Sequence, residues 1–554
     1  MTTSNPAERL DSWKEIAAYL RRDVRTVQRW EKKEALPVYR HQHEKLGSVY
    51  AFRAELTKWF TTRQPAAAAL ATAQMKEAAD KIKLAVLSFG NLSGKEDDYF
   101  GDGLTEEMTT ELTRMQPADL AVVARTTAAH YDSTPKSLAQ LKQDLGVDYV
   151  LEGKVRRSGN RVRITARLSE IQDQTQMWAE TYERDLSDVL SVQAEIAQAI
   201  AREINLALNL SESSRLSDLQ GGRQRVQPAA YDAYLKARYH LHAMLPAEIR
   251  KSVEDFQRAV ELDPNYAPAH AGLASAWALL AIGPFDLLPP HEAMPKAESA
   301  ARKSLQMDDG LAEAHAALAL VNHHYHWNWK DAEAEYRRAI ELNPNYAAAH
   351  LWYSWLLLAL DKRAGALAQI EETMRIVQET DPHRLVAVHA TRAQAFYFGR
   401  EYQLAVDECE KALELDSEHY MLHYILGRAY RRLGEGAKAI AQLKKAQSVA
   451  DDIPLIAAVL GLAYAVSGQK QQAEKVTAAF TAAARKRYMP PTYFGMLYAG
   501  LGDKDQAFAW FEKAFSERAD GLTWLGVEPM FDGVRDDPRF DDLLRRIGLT
   551  QKIG

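Results

Sequence analysis

A chain of 554 residues, 47% apolar and 26% charged, is too long for a single hydrophobic core and has the composition of a globular protein of roughly three to four domains. Its one cysteine, Cys409, excludes an internal disulfide, and its longest apolar runs, Leu351–Leu360 and Ala276–Phe285, fall well short of the roughly 20 residues that cross a bilayer. Residues 1–64 hold 13 Lys and Arg against 8 Asp and Glu while the remainder hold 56 against 67, a basic head on an acidic body, as expected where only the head meets nucleic acid.

Residues 1–20 carry Glu8, Arg9, Asp11, Lys14 and Glu15 and lack an apolar core, so no secretory leader is expected and the reading is cytoplasmic. Ser12–Leu20 reads as a short helix with Trp13, Ile16, Ala17 and Leu20 on one face. After a break at Arg21-Arg22-Asp23, Val24–Glu34 supplies a second helix with Val27 and Trp30 inward and Arg25, Thr26, Gln28 and Arg29 outward, a helix-turn-helix arrangement. Leu36–Tyr50 alternates and turns near Gly47, as a two-stranded wing would, and a helix over Arg53–Phe60 carries Leu56 and Trp59. The head resembles the excisionase and MerR type of winged helix-turn-helix, whose second helix enters the major groove while the wing lies along the backbone. That resemblance implies base and phosphate contacts by Arg25, Thr26, Gln28 and Arg29, and wing contacts by Arg40, His41, His43 and Lys45. The chemistry agrees, since Arg pairs with guanine O6 and N7, Gln with adenine N6 and N7, and cations neutralise phosphates.

Gln64–Lys81 is alanine-rich with little large apolar content and reads as a tether. From there the period changes. Strands are expected at Ile82–Phe89, Leu120–Val123, Tyr149–Val155, Arg161–Ser169 and Met177–Tyr182, with helices at Phe100–Met115, Leu138–Leu145 and Asp188–Leu208, an α/β domain. The segments KIKLAVLSFGNLSG, YFGDGLTEEMTTELTRM, DYVLEGKVRRSGNRVRITARL and QMWAETYERDL resemble the TolB-like amino-terminal domain of bacterial regulators. Asn91-Leu92-Ser93-Gly94 and Gly101-Asp102-Gly103 flank a helix start where a phosphate could rest, but Glu96, Asp97 and Asp98 would repel it, so turn and capping chemistry is the better reading. The adjacent Glu106 and Glu107 read as a solvated face.

The remaining half is periodic. Gly427, Gly461 and Gly495 lie 34 residues apart, as do Tyr430, Tyr464 and Tyr498, then Gly434, Gly468 and Gly502, and Ala405, Ala439, Ala473 and Ala507. Each unit reads as two amphipathic helices, with a small residue admitting close approach and a Gly turning the chain. Asp263-Pro264-Asn265-Tyr266 and Asn343-Pro344-Asn345-Tyr346 end earlier units. The pattern resembles the tetratricopeptide repeat, with about eight units starting near residues 231, 267, 311, 347, 386, 420, 454 and 488, the second stretched around Gly283-Pro284-Phe285. The resemblance implies a right-handed superhelix holding a protein or peptide in its concave groove. His315, His323, His324 and His326 could suggest a metal, but no carboxylate or cysteine recurs with them, so aromatic packing at a turn is expected instead. Asp536-Asp537-Pro538-Arg539-Phe540 and the amphipathic run Asp541–Ile547 suggest a helix capping the end of the stack.

The expected fold class is therefore multidomain and mainly α: a winged helix-turn-helix (8–62), an Ala-rich linker (63–80), a TolB-like α/β domain (81–210), a tetratricopeptide α-solenoid (229–520) and a capping segment (521–554). The expected function is a cytoplasmic DNA-binding transcriptional regulator. Its partners would be double-stranded DNA at the head and a protein or peptide in the repeat groove, with no membrane, and either a homodimer or a partner would supply the specificity a single head lacks. No catalytic residue, cofactor or metal site is expected. The alternative is an assembly or signalling scaffold whose head is a protein adaptor.

Overall fold

The computed structural model describes residues 9–10, 12–19, 27, 31, 36–40, 49–53, 56, 82–93, 98–115, 120–123, 146–189, 192–200 apart from 194 and 198, and 226–549 apart from 284, 381, 451 and 452. The chain divides into two compact units, Met1–Lys81 and Ile82–Gly554.

In the first unit, helix α1 (Trp13–Tyr19) starts where Ser12 Oγ accepts the Glu15 amide at 3.2 Å, a side-chain cap that satisfies an otherwise unpaired helix-start donor. Strands β1 (Arg9–Leu10), β2 (Tyr39–Arg40) and β3 (Val49–Phe52) form an antiparallel sheet in the order β1-β3-β2. β2 and β3 pair Tyr39 with Tyr50 and Arg40 with Val49, and the unanticipated β1 adds Leu10 opposite Ala51. Leu10, Ile16, Ala17, Val27, Leu36, Val49, Ala51 and Leu56 bury together as this unit's own core.

The second unit opens with a five-stranded sheet in the order β5-β4-β6-β7-β8, from β4 (Ile82–Asn91), β5 (Leu120–Val123), β6 (Tyr149–Ser158), β7 (Arg161–Glu170) and β8 (Thr175–Asp185). β4 runs parallel to β5 and β6, while β6, β7 and β8 form an antiparallel meander turned at Gly159, whose φ of 59° suits a residue without Cβ. Helix α2 (Asp98–Met115) covers one face, burying Phe100, Leu104, Met108 and Leu112 at the spacing of a single helical stripe. A register shift in β4 between Val86 and Phe89 leaves the Phe89 amide free of the ladder, and it donates to Thr105 Oγ1 at 2.9 Å. Val192, Ile196 and Ile200 join the same core as the closing helical segment. The expected helix Leu138–Leu145 lies outside the described residues.

Sixteen helices follow among the described residues, in eight hairpins. They are α3 (Pro228–His242) with α4 (Pro246–Leu262), α5 (Ala267–Leu279) with α6 (Pro290–Met307), α7 (Ala312–Val321) with α8 (Trp329–Leu342), and α9 (Ala347–Ala359) with α10 (Arg363–Thr380). Then come α11 (Pro382–Phe398) with α12 (Tyr402–Leu413), α13 (Tyr420–Arg432) with α14 (Gly436–Val449), α15 (Pro454–Val466) with α16 (Lys470–Ala483), and α17 (Pro491–Leu501) with α18 (Lys504–Ser516). The two glycine columns have different physical causes. A Cβ at Gly427, Gly461 or Gly495 would run into Leu443, Leu497 or Phe511 respectively, so these positions let helices touch. Gly434, Gly468 and Gly502 instead hold φ of 83°, 75° and 84° at the turn within each hairpin, with open space where a Cβ would be. One hairpin earlier, Arg400 takes the turn with φ of 61°, and the repeat persists there at a cost of about 1 kcal/mol. Gly495→Ala should therefore lower stability by about 1–3 kcal/mol through crowding against the fully buried Phe511, read as a lower urea midpoint, and more than Gly434→Ala does.

Histidines are a second repeated device. His270, His315, His350 and His423 each bring Nε2 to the backbone carbonyl six residues earlier, at 2.9–3.0 Å. His315, His350, His389 and His423 also reach the second helix of their hairpin, meeting Glu335, Gln369, Glu408 and Gln442 through Nδ1. These contacts tie helix start to helix partner, and they make His315 part of the scaffold.

The tail differs from the expected end cap. Turns of 3₁₀ helix at Asp520–Trp524 and Pro529–Val534 precede α19 (Pro538–Arg546). α19 does pack on the last hairpin, where Arg546 grips Glu512 with two bonds of 2.7 and 2.9 Å. The segment before it runs back across earlier hairpins, where Asp520 meets His324 of the third, and the residue after it is held there too, Trp329 donating to the Ile547 carbonyl at 2.8 Å. The array curves far enough to bring these first helices around one interior, which the tail fills.

Candidate functional site

Of the residues expected to contact DNA, Arg25, Thr26, Gln28, Arg29, His41, His43 and Lys45 lie outside the described residues. Arg40 sits in β2, paired with Val49 of the central strand. The head sheet also carries an aromatic trio, with Tyr39 stacked on Tyr50 at 5.4 Å and Phe52 edge-on to Tyr50 at 5.8 Å.

The densest polar chemistry among the described residues lies inside the solenoid, where the first helices of hairpins 4–8 converge on the tail around a cavity of about 100 Å³. Four tail residues spaced by four make the contacts. Asp520 Oδ1 meets His324 Nδ1 at 2.5 Å, and its Oδ2 accepts the Gly283 amide at 2.9 Å. Trp524 stacks on Phe398 at 5.3 Å. Glu528 takes the buried Arg428 guanidinium, the Tyr397 hydroxyl at 3.2 Å and the Met530 amide at 2.9 Å. Asp532 is gripped by both terminal nitrogens of Arg400 at 2.7 and 2.8 Å and by Arg432 at 2.8 Å.

Arg428 is 1% exposed, with its guanidinium 4.0 Å from the Tyr397 ring centroid and 4.9 Å from that of Tyr424. Burial opposes its charge, yet the Glu528 carboxylate together with Tyr424 and Tyr397 outweighs burial and raises its pKa, so it remains a cation. Burial alone would raise Asp532, but hydrogen bonds from Arg400 and Arg535 hold it below the ordinary range.

The insert in the second hairpin closes the ring. Asp286 accepts the Tyr493 hydroxyl of the eighth hairpin, and the Gly283 backbone lies against Asp520. Desolvation first, and the nearby Asp520 charge second, push the Asp286 carboxyl up to about 8. A carboxyl whose folded pKa lies above its unfolded value binds more protons when folded, so its contribution is complete below about pH 4 and is lost as pH rises through about 8. Asp286→Asn should therefore match the parent near pH 4 and unfold at a higher temperature than the parent at pH 8.5. Equal midpoints at pH 8.5 would show that Asp286 titrates normally.

Two sequence readings are corrected here. Carboxylates do accompany the histidines: Asp520 joins His324 from 196 residues away, Glu298 joins His326 at 2.9 Å and Glu335 joins His315 at 2.6 Å from neighbouring helices. Each pair is separate, and no group of three or more metal-ligating side chains occurs among the described residues. His323 is fully buried in a π-turn, Asn322–His326, where burial and then His324 drive its pKa well below the usual value, so it is neutral. The second correction concerns Glu107, read as solvated, which is tied to α3 by Tyr234 at 2.9 Å and by Arg238.

Glu107 belongs to a joint between the α/β layer and the first hairpin. Asp232 on α3 receives Tyr99 and Arg157, and Lys236 at 3.1 Å, while Gln193 donates to the buried Tyr231 hydroxyl at 2.7 Å. Burial would raise Asp232, but the hydrogen bonds from Tyr99 and Arg157 prevail and lower it. Gly101 and Gly103 are explained by packing, since a Cβ would collide with the Phe89 carbonyl or with Leu235. The α/β domain thus covers the first end of the stack, the end a solenoid must shield.

Comparison with known proteins agrees with this partition. Residues 79–199 match the family described as HilA/YgeH-like transcriptional regulator, second domain, which spans the sheet and its flanking helices. Residues 422–453 and 494–520, in the sixth and eighth hairpins, match the tetratricopeptide repeat. A Rhizobium meliloti (strain 1021) protein named as an adenylate cyclase is 36% identical over 198 residues, 35% of this chain, and the match spans only 32% of that relative's length. Among solved structures, pilF of Pseudomonas aeruginosa is 18% identical with a TM-score of 0.28, covering 40% of this chain and 91% of its own. The Cut9–Hcn1 hetero-tetramer of the APC/C is 13% identical with a TM-score of 0.39, covering 64% and 59%. The chain thus carries tetratricopeptide repeats within its helical array and, before the array, an α/β layer similar to the second domain of HilA/YgeH-like regulators. No helix among the described residues is long and apolar enough to cross a membrane.

Proposed function

We propose that this protein is a cytoplasmic DNA-binding transcriptional regulator: a winged head on duplex DNA, a TolB-like α/β joint and a solenoid that engages a protein partner. The observation that carries the reading is the match of residues 79–199 to the second domain of a transcriptional regulator, placed directly after a small basic unit with its own core. Within that unit, Arg25, Thr26, Gln28 and Arg29 are assigned to the major groove, and Arg40, His41, His43 and Lys45 to the backbone beside it. Because one head reads few base pairs, a homodimer is part of the proposal. The tail occupies the interior of hairpins 3–8, so the partner's surface is assigned to faces of the solenoid other than that interior. The reading is of a binding protein and not of an enzyme, and the partial likeness to a cyclase-named relative extends no catalytic role to this chain. The test is retention of the full chain on duplex DNA across a salt series, where affinity should fall steeply as salt rises. A chain that fails to bind duplex DNA even at low salt, yet keeps a protein partner with the head removed, would favour the scaffold alternative.

A further inference from the structure

We infer that the outer surface of the second helices of hairpins 6 and 7, α14 and α16 with the turn that follows, is a sequence-independent contact surface for the phosphate backbone of duplex DNA. The inference extends the DNA reading above to a second surface, separate from the head. Residues 436–488 hold eight Lys and Arg against three Asp and Glu, within a body that holds 56 against 67, so the acidic total conceals a basic face. All eight cations are exposed, three on α14, two on α16 and three, Arg485 to Arg487, just after it. The amides of Ala484 and Arg487 donate to the Phe480 and Ala483 carbonyls at 2.9 and 3.0 Å, which carries the helical path of α16 on through those three.

Helix stability does not account for this charge. Lys470 opens α16, the end where the helix dipole disfavours a cation, and neither helix has a basic residue in its last turn. Ion pairing accounts for three of the eight: Lys438 meets Glu435 at 2.5 Å, Lys445 meets Glu418 at 3.3 Å and Lys470 meets Glu474 at 3.9 Å. Lys444, Lys475, Arg485 and Lys486 form no ion pair among the described residues.

The rest of the face selects the kind of polyanion. Between the cations lie small or polar side chains, Ala441, Ser448, Gln472, Ala478 and Ala482, all exposed. The exposed large apolar residues of this stretch are Val449 and Val466, and no aromatic is exposed on it. Protein interfaces centre on buried aromatic or aliphatic anchors and are poor in Lys. Surfaces that meet DNA are polar and strongly positive, and a duplex offers one charge about every 1.7 Å. Lysines on small side chains pair with phosphate as point charges and read no base, so the contact is indifferent to sequence.

The experiment combines Lys444→Gln, Lys475→Gln and Arg485→Gln in the full chain and measures retention on duplex DNA of scrambled sequence across a salt series. These side chains are exposed, so thermal unfolding should match the parent. Binding at low salt should weaken on the order of tenfold or more, and the slope of log affinity against log salt should fall by about 3, with preference among sequences unchanged. The same fall should appear when Arg25→Ala and Arg29→Ala are also present, which separates this face from the head. An unchanged slope in the triple variant would overturn the inference even where the head pair weakens binding, and a head pair without effect beside a lowered slope would leave this face standing and the head's assignment lost. No retention of the parent on duplex DNA at low salt would overturn it too. So would polyglutamate displacing the DNA as effectively, charge for charge, as competing duplex, which would give the face to an acidic protein.

Discussion

Replacing Glu528 by Ala should cost about 3–5 kcal/mol, the largest loss expected of any single polar substitution in the interior. The variant leaves Arg428 charged, 1% exposed and without the carboxylate that offsets its desolvation. It also strips an acceptor from the Tyr397 hydroxyl and the Met530 amide, and each such orphaned buried group costs about 1–3 kcal/mol. Glu528→Gln keeps an acceptor for those two groups and removes only the charge, so it should lose less. Pairing Glu528→Ala with Arg428→Met should recover part of the loss, because the buried cation is gone and its volume is kept. The measurement is the urea midpoint of all four proteins, with hydrogen exchange of the tail following local opening. A loss below about 1 kcal/mol for Glu528→Ala would mean that the tail does not depend on this pair for its seat in the solenoid.

The second large effect is expected on DNA. Arg25→Ala together with Arg29→Ala should weaken retention on duplex DNA on the order of a hundredfold or more, since each arginine–guanine pair is worth about 1–3 kcal/mol. The two variants also separate roles. A lost base contact relaxes sequence preference, whereas a lost phosphate contact weakens all sequences alike and lowers the salt slope by about 1. Lys45→Ala, on the assigned wing, should show only the second behaviour. Because the head is a compact unit with its own core, these substitutions should leave the unfolding of the second unit unchanged. Undiminished DNA retention by the double variant would defeat the assignment of the second helix to the groove.

The two effects lie at opposite degrees of legibility. The basic head was visible as a charge imbalance, and α1 and β2 fall within the segments that apolar spacing and alternation marked, while β3 extends two residues beyond. The solenoid was visible because each repeat packs on the next, so the same contact recurs every 34 residues and leaves columns of Gly, Ala and Tyr. The strands of the α/β layer were visible for the same local reason, although β4, β6 and β8 extend beyond the apolar runs that marked them, because ladder bonds continue into polar residues.

The interior site carried no such mark. Glu528 is 100 residues from Arg428, Asp520 is 196 from His324, and Tyr493 is 207 from Asp286. No periodicity encodes these pairs, because they depend on the accumulated curvature of eight hairpins and on an insert that interrupts the repeat. The isolated signals were present: an insert at Gly283, a histidine cluster at the turn of the next hairpin, and acidic and aromatic residues every fourth position from Asp520 to Asp532. Their meaning was not, since a charged residue near a turn reads as solvated until a partner is brought to it. Local sequence thus determined the hairpin, its glycines and its number of turns, through contacts between neighbours. Only the tertiary structure decided that the superhelix closes on its own tail and buries the tail's carboxylates against Arg428 and His324, because closure is a sum over all the repeats and belongs to none of them.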